Sequence, residues 1–366
     1  MEFPNLRIGD LIARVPIVQG GMGVGISLSN LASAVMKEGG IGVIAAAMIG
    51  MGEPDIGSNY REANIRALTR EIRAARQKAD GILGVNIMVA LTNFSDMVRT
   101  SIKEGVDVIF AGAGLPLDLP GYLEGAKTKL VPIVSSARAA AIICKKWLHK
   151  FDRLPDAFVV EGPKAGGHLG FKPEQIQDPS FALERIVPEV VATVQEFEER
   201  AQRPIPIIAA GGVYEGADIH KFLELGAAGV QMGTRFVATH ECDADPRFKE
   251  AYIQAKPEDI QIIQSPVGLP GRAIISSFLE DVKRGLKKPF TCPFHCVSTC
   301  DYTKSPYCIG MALTNAKKGL LKHGFAFAGA NAWRVDKIIS VRELIDSLRE
   351  GFAAAVAGPN LEHCAA

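Results

Sequence analysis

Two segments that each contain a glycine turn, PIIAAGGV at residues 206–213 and GVQMGTRF at residues 229–236, flank an amphipathic stretch at residues 216–225. Each segment starts with a short apolar run, which is typical of a strand buried on both faces of a parallel sheet. The stretch between them has helical periodicity. Together they predict one strand–helix–strand unit.

The same alternation runs through the preceding two hundred or so residues. Candidate strands occupy residues 16–19, 42–46, 84–87, 106–111, 130–135, 157–161, 206–210 and 229–232. Helical patterns cover residues 28–37, 60–78, 94–104, 137–149, 181–200 and 216–225, and a last one covers 341–351. Eight such units in a row predict an α/β fold of the (β/α)8 TIM-barrel type, with an open doubly wound sheet as the alternative.

The alternation stops after residue 232, well before the final amphipathic stretch. We therefore expect three regions. A barrel would cover residues 1–240, an inserted cap with a cysteine-rich segment residues 241–323, and a C-terminal return to the barrel with the closing helix residues 324–366.

Composition narrows the range of functions. The chain has 366 residues, 48% of them hydrophobic, and a formal net charge of +1. The absence of a long like-charge run argues against nucleic-acid and polybasic membrane surfaces. No secretory signal and no apolar run of about 18 residues is visible, so we expect a cytoplasmic protein without membrane association. The oligomeric state stays open, with a homodimer among the arrangements considered.

The glycines that end the last two strands, Gly211, Gly212 and Gly233, indicate a phosphate site. In TIM barrels the loops after strands seven and eight often bind phosphate through backbone N–H groups. Glycine lets the backbone approach the anion closely, and Thr234 adds a hydroxyl donor. The alternative is that these glycines only form tight turns.

A third glycine-rich turn, GGMGVG at residues 20–25, follows the first strand. Its spacing is not that of a dinucleotide fingerprint. In a barrel it would present flat backbone and the side chain of Met22 to a planar aromatic ring. Asn86, at the end of the third strand, would bond ring heteroatoms, and Gln231 would either do the same or form part of a polar layer.

The loop EGPKAGGHLG at residues 161–170 follows the sixth strand and carries His168. Histidine titrates near neutral pH and is a common general acid or base. Its place after a barrel strand favours a catalytic role. The alternative is a surface histidine in a flexible loop.

These motifs in combination resemble the nitronate monooxygenase family, formerly called 2-nitropropane dioxygenases, which includes flavin-dependent enoyl-acyl carrier protein reductases. The resemblance lies at residues 16–23, 84–86, 161–168, 209–213, 231–236 and 265–272. It implies an FMN-binding barrel in which His168 serves as acid/base or orients the substrate. The implied cofactor-binding residues are Gly21, Met22, Gly23, Asn86, Glu161, Gly166, Gly167, Gly211, Gly212, Gln231, Gly233 and Thr234.

Cys292, Cys296, Cys300 and Cys308 fall within seventeen residues, and we do not associate this segment with the resembled family. Clustered cysteines in a reducing compartment favour metal binding over disulfides. Their compact spacing favours one [4Fe–4S] cluster over structural Zn²⁺. His295 could replace one cysteine, and a set of adventitious thiols is the remaining alternative.

Three functions are compatible with these features. The first is FMN-dependent oxidation of alkyl nitronates with His168 as acid/base. The second is reduction of the C=C bond of an enoyl thioester, with NAD(P)H or a ferredoxin-type donor and an iron–sulfur cluster supplying electrons to FMN. The third is a flavin- and metal-based redox sensor.

Overall fold

The computed structural model describes residues 2–287 and 292–358. Within these residues the strands are, in chain order, β1 (Leu6–Ile8), β2 (Leu11–Ala13), β3 (Ile17–Gln19), β4 (Gly42–Ala45), β5 (Leu83–Met88), β6 (Val108–Gly112), β7 (Lys129–Val134), β8 (Phe158–Glu161), β9 (Gly167–His168), β10 (Ile207–Ala210), β11 (Gly229–Met232), β12 (Ile260–Gln264) and β13 (Pro270–Ile274). The α-helices are α1 (Ser29–Lys37), α2 (Tyr60–Lys78), α3 (Phe94–Lys103), α4 (Ala137–Phe151), α5 (Leu183–Ala201), α6 (Gly216–Glu224), α7 (Thr234–Val237), α8 (Pro246–Ile253), α9 (Ser277–Lys283), α10 (Ile309–Lys317) and α11 (Val341–Ala357).

Eight parallel strands form a barrel in the order β3–β11–β10–β8–β7–β6–β5–β4. The first and last strands of this order, β3 and β4, meet beside Ile41. The Ile41 N–H donates to the Ile17 carbonyl oxygen at 3.0 Å. The Gln19 N–H donates in turn to the Ile41 carbonyl oxygen, also at 3.0 Å. The predicted TIM barrel is thus confirmed, and the open-sheet alternative is wrong because the first and last strands of the order adjoin.

The helix that packs at the closing position of the barrel comes late in the chain. The helix after β11, α7, spans only Thr234–Val237, and α11 packs beside α6 instead. The two helices approach so closely that a Cβ at Gly216 would lie 2.1 Å from the Phe352 backbone nitrogen. Ser340 starts α11 by accepting the Glu343 N–H in a capping box.

An N-terminal hairpin of β1 and β2, which the sequence analysis did not predict, closes the bottom of the barrel. Leu6 and Ile8 of β1 pack with barrel residues such as Val108 and Phe110 in one buried cluster. Gly9 makes the turn with a φ of 60°, a conformation that favours glycine.

The residues after the barrel include a second, antiparallel sheet. β12 pairs with β13, and β13 pairs with β9 in the loop after β8. Behind this sheet Phe278, Tyr307 and Phe325 form a separate buried cluster. The region boundaries expected from sequence stay a prediction, and residues 359–366 of the expected C-terminal return lie outside the described residues.

No helix within residues 2–287 and 292–358 combines the length and the apolar character needed to cross a membrane.

Candidate active site

Polar side chains mark the C-terminal end of the barrel, which we call the mouth. Asn86 in β5, Glu161 in β8 and Gln231 in β11 are partly exposed, whereas the residues that precede each of them in its strand are buried. In TIM barrels the C-terminal ends of the strands carry the active site. These three side chains therefore reach a solvent-accessible space at the mouth.

The loop after β3 lies directly against Asn86. A Cβ at Gly21 would stand 2.3 Å from the Asn86 Cβ, so only glycine fits there. On its other side the loop reaches β11, because Met22 Sδ lies 3.9 Å from the position of a Cβ on Gly233. Gly21, Met22, Asn86 and Gly233 are thus brought together.

Gln19 fixes the conformation of this loop through hydrogen bonds, a role that the sequence analysis did not assign. Its buried side chain donates to the Gly20 carbonyl oxygen at 2.5 Å and to Ser27 Oγ at 3.0 Å. Its Oε1 accepts the Val43 N–H at 3.0 Å. The signal in the sequence is a lone amide at the end of the apolar run PIVQ.

The glycines after β10 and β11 leave backbone donors free. Gly211 and Gly212 have φ values of 91° and 104°, and a Cβ at Gly211 would lie 2.7 Å from the Gly162 carbonyl oxygen. Within the described residues the N–H groups of Gly212, Gly233 and Thr234 have no protein acceptor. Such a group of unpaired donors suits an anion.

A segment near the C-terminus covers these donors and was not assigned to the site from sequence. The Gly329 N–H donates to Thr234 Oγ1 at 3.2 Å, and Asn331 Nδ2 donates to the Gly212 carbonyl oxygen at 2.7 Å. Gly166 packs beneath it, since a Cβ there would lie 2.6 Å from the Gly329 nitrogen. A glycine and an amide close together in the run AGAN at residues 328–331 are the signal in the sequence.

His168 is fixed by residues from a distant part of the chain. Its Nε2 lies 2.8 Å from Ser265 Oγ, and its ring packs edge-on against Phe327 with the ring centroids 5.0 Å apart. Burial lowers the pKa of His168 to about 4. The imidazole is therefore neutral at physiological pH.

Glu161 is a second titratable group at the mouth. Burial raises the pKa of its carboxyl group to about 7. Sequence reasoning assigned Glu161 only to cofactor contact, and its pKa gives it the capacity for acid–base chemistry as well.

Arg272 anchors the glycine-rich loop that carries His168. Its buried Nη1 donates to the carbonyl oxygens of Pro163 and Ala165 at 2.5 and 2.7 Å. Burial lowers the pKa of its guanidinium to about 10, so the group stays charged at neutral pH. The sequence analysis placed Arg272 in a family-like motif without a role.

The four clustered cysteines surround one cavity of about 230 Å³. All four are free thiols. In residues 2–287 and 292–358, however, no three His, Cys, Asp or Glu side chains form a ready-made site for a metal ion. The predicted metal site thus has converging side chains but no preformed ligand set.

Comparisons with known proteins agree with this geometry. The family model described as "Nitronate monooxygenase" matches residues 6–351. A Mycobacterium tuberculosis protein named "(3aS,4S,5R,7aS)-5-hydroxy-7a-methyl-1-oxo-octahydro-1H-indene-4-carboxyl-CoA dehydrogenase" is 29% identical over 270 residues, which are 74% of this chain and 66% of that protein. This match thus spans just under two thirds of that relative's length. A Staphylococcus aureus protein named "Probable nitronate monooxygenase" is 28% identical over 307 residues, which cover 74% of this chain and 78% of the relative.

Solved structures extend the likeness to almost the full length. FabK from Thermotoga maritima is 28% identical, with 94% of each chain covered and a TM-score of 0.72. Nitroalkane oxidase from Streptomyces ansochromogenes, at 21% identity and a TM-score of 0.70 over 94% of this chain and 97% of its own, shares the fold. The family model covers far more than half of the sequence, and the expected oxidoreductase class is confirmed with it: the chain belongs to the nitronate monooxygenase family.

Proposed function

We propose that this protein is an FMN-dependent oxidoreductase that oxidises alkyl nitronates with molecular oxygen. The observation that carries the proposal is the barrel mouth, where unpaired backbone donors, partly exposed amides and a neutral histidine share one end of the barrel. The match to the family model supports it.

The residues at the mouth fit the chemistry of FMN. The unpaired N–H groups of Gly212, Gly233 and Thr234 would bind the phosphate. The amides of Asn86 and Gln231 both donate and accept, as the edge of an isoalloxazine ring requires. Gly167 faces open space, since a Cβ there would meet no atom within 4 Å. When bound, FMN would supply the electron transfer, and the protein would position the substrate and transfer protons.

His168 would act as acid/base or orient the substrate. A neutral imidazole donates an N–H to an oxygen of the nitronate, and its other ring nitrogen can accept a proton released during oxidation. Ser265 Oγ lies next to Nε2, which leaves Nδ1 as the ring atom for the substrate. Ser265 would thus act on the reaction by orienting the imidazole.

The test is nitronate-dependent oxygen uptake by the FMN-loaded protein. Substituting His168→Gln should lower kcat by roughly 10²- to 10⁴-fold while FMN content is retained. His149→Gln is the matched control, because His149 is exposed on α4. Flavin-loaded wild-type protein that consumes no oxygen with any nitronate would refute this function.

Reduction of an enoyl thioester is the second candidate. The name of the Mycobacterium tuberculosis relative favours it, because that name specifies a coenzyme A thioester. Electrons would come from NAD(P)H or from a carrier protein of the ferredoxin class. Crotonyl-thioester-dependent loss of NAD(P)H absorbance, in place of nitronate-dependent oxygen uptake, would favour this candidate over the first.

A further inference from the structure

We propose that Cys292, Cys296, Cys300 and Cys308 bind a [4Fe–4S] cluster beside the barrel mouth. The folded chain brings all four side chains to the wall of one cavity of about 230 Å³. The other two cysteines among the described residues, Cys144 and Cys242, are buried elsewhere and do not line it.

The size of the shared cavity favours a cluster over a single ion. A tetrahedral Zn²⁺ site needs its sulfur atoms about 2.3 Å from one point, and so close to one another. The cavity that the four thiols line, with a volume of about 230 Å³, is larger than the space that one ion occupies. A cubane places its irons at separate corners, so its four cysteines stand farther apart around a larger space.

A backbone donor is already directed at one of the thiols. The His295 N–H donates to Cys292 Sγ at 3.4 Å. Hydrogen bonds to ligating sulfur stabilise its negative charge and are among the groups that set a cluster's reduction potential.

The cysteine segment is bound to the loop that follows Asn86 and β5. The Thr92 N–H donates to the Cys296 carbonyl oxygen at 3.2 Å, and the Ser298 N–H donates to the Ala90 carbonyl oxygen at 2.9 Å. Leu91 and Val297 form an antiparallel bridge between these contacts.

The segment also packs on the loops after β3 and β4. Phe294 and Cys296 share a buried cluster with Val24 and Met48. The cavity therefore lies on the side of the mouth formed by the loops after β3, β4 and β5. That is the side assigned to the isoalloxazine ring and not to the phosphate.

This position gives the cluster a role in the second candidate function, reduction of an enoyl thioester, and that role rests on the proposed flavin site. Two molecules of a reduced one-electron carrier protein would each pass one electron through the cluster and be oxidised. The flavin would take both electrons together with one proton from solvent and become fully reduced. The cysteines would serve as an entry for electrons that bypasses pyridine nucleotide.

The test is metal analysis of the full chain purified without oxygen and reconstituted with Fe²⁺ and sulfide. We expect about four irons and four sulfides per chain and a broad visible absorption that dithionite bleaches. Cys296→Ala and Cys300→Ala should each lose most of the iron, whereas Cys144→Ala should keep it. FMN content, measured on the same samples, reports on folding and on the flavin site separately.

Zinc without sulfide, or no bound metal in wild-type protein, would overturn the cluster. Retained FMN with no iron would reject the cluster and leave the proposed function standing. Iron and sulfide in a chain that binds no FMN would support the cluster and reject the proposed function. The wild-type analysis decides the question even if a cysteine variant fails to fold.

Discussion

Burial shifts the pKa values of the two titratable residues near the mouth in opposite directions. It lowers the pKa of His168 to about 4 and raises that of Glu161 to about 7. Both shifts favour the neutral form, as expected when charge is removed from water. Between these two pKa values both side chains are mainly uncharged, which suits the proposed binding of an anionic cofactor.

The pKa of His168 predicts a specific dependence of stability on pH. Between pH values of about 4 and 6.5, the unfolded chain binds more protons at this residue than the folded chain does. The contribution of His168 to the free energy of unfolding is therefore complete above pH 6.5 and is lost as pH falls through 4. His168→Gln should flatten the rise of Tm over that window, whereas His149→Gln should not. A His168→Gln variant whose Tm rises as steeply as that of the wild type would contradict the assigned pKa.

Glu161 should act in the opposite sense. Its folded pKa of about 7 lies above the ordinary 4.5, so the folded chain binds more protons and stability falls as pH rises through that window. Glu161→Gln should remove this fall in Tm. It should also remove an ionisation near pH 7 from the pH profile of kcat/KM. An unchanged profile in the variant would show that Glu161 does not titrate in the free enzyme.

The positions of these two residues could be predicted from sequence, but their pKa values could not. Counting strands places Glu161 and His168 after the sixth barrel strand. Their environment depends on contacts such as Ser265 with the His168 ring, 97 positions along the chain. No local pattern encodes that contact.

Among the elements, β9 contains a glycine at positive φ. Gly167 has a φ of 79°, and a Cβ there would meet no atom within 4 Å. Gly105, at the turn before β6, has a φ of 69° and equally open surroundings away from the mouth. The two glycines therefore form a matched pair for substitution.

Alanine at either glycine should cost about 1 kcal/mol of folding stability, because an L-residue is strained at positive φ. Only Gly167→Ala should also weaken FMN binding, by at least about tenfold, since the added methyl group would enter the proposed cofactor space. Flavin fluorescence titration measures this binding. Equal FMN affinity in the two variants would remove Gly167 from the cofactor site.

Arg272, in β13, is hydrogen-bonded to the loop between β8 and β9, so its substitution should destabilise both elements. Arg272→Met loses two charge-assisted hydrogen bonds and leaves two buried carbonyl oxygens unpaired, which predicts a loss of about 3 kcal/mol in the free energy of unfolding. Arg349→Met, which breaks only an exposed ion pair with Asp346, should change it by less than about 1 kcal/mol. Urea denaturation of both variants checks the difference, and similar losses would mean that Arg272 is not an anchor.

The whole molecule shows why the barrel could be predicted and its surroundings could not. Each barrel strand carries its own local signal, an apolar run ended by a small or polar residue. The sheet of β12, β13 and β9 joins residues 167–168 to residues 270–274, and no local period reports such a pairing. The cysteine spacing likewise suggested a metal, but only the fold places the segment against the loop after β5.

The central claim is that the barrel mouth holds FMN and passes substrate electrons to it. The most direct measurement is the anaerobic absorption spectrum of the full chain during addition of an alkyl nitronate. The account predicts flavin bands for about one FMN per chain and their bleaching as the nitronate is consumed. A correctly folded chain that binds no flavin, or flavin bands that nitronate leaves unchanged, would contradict it.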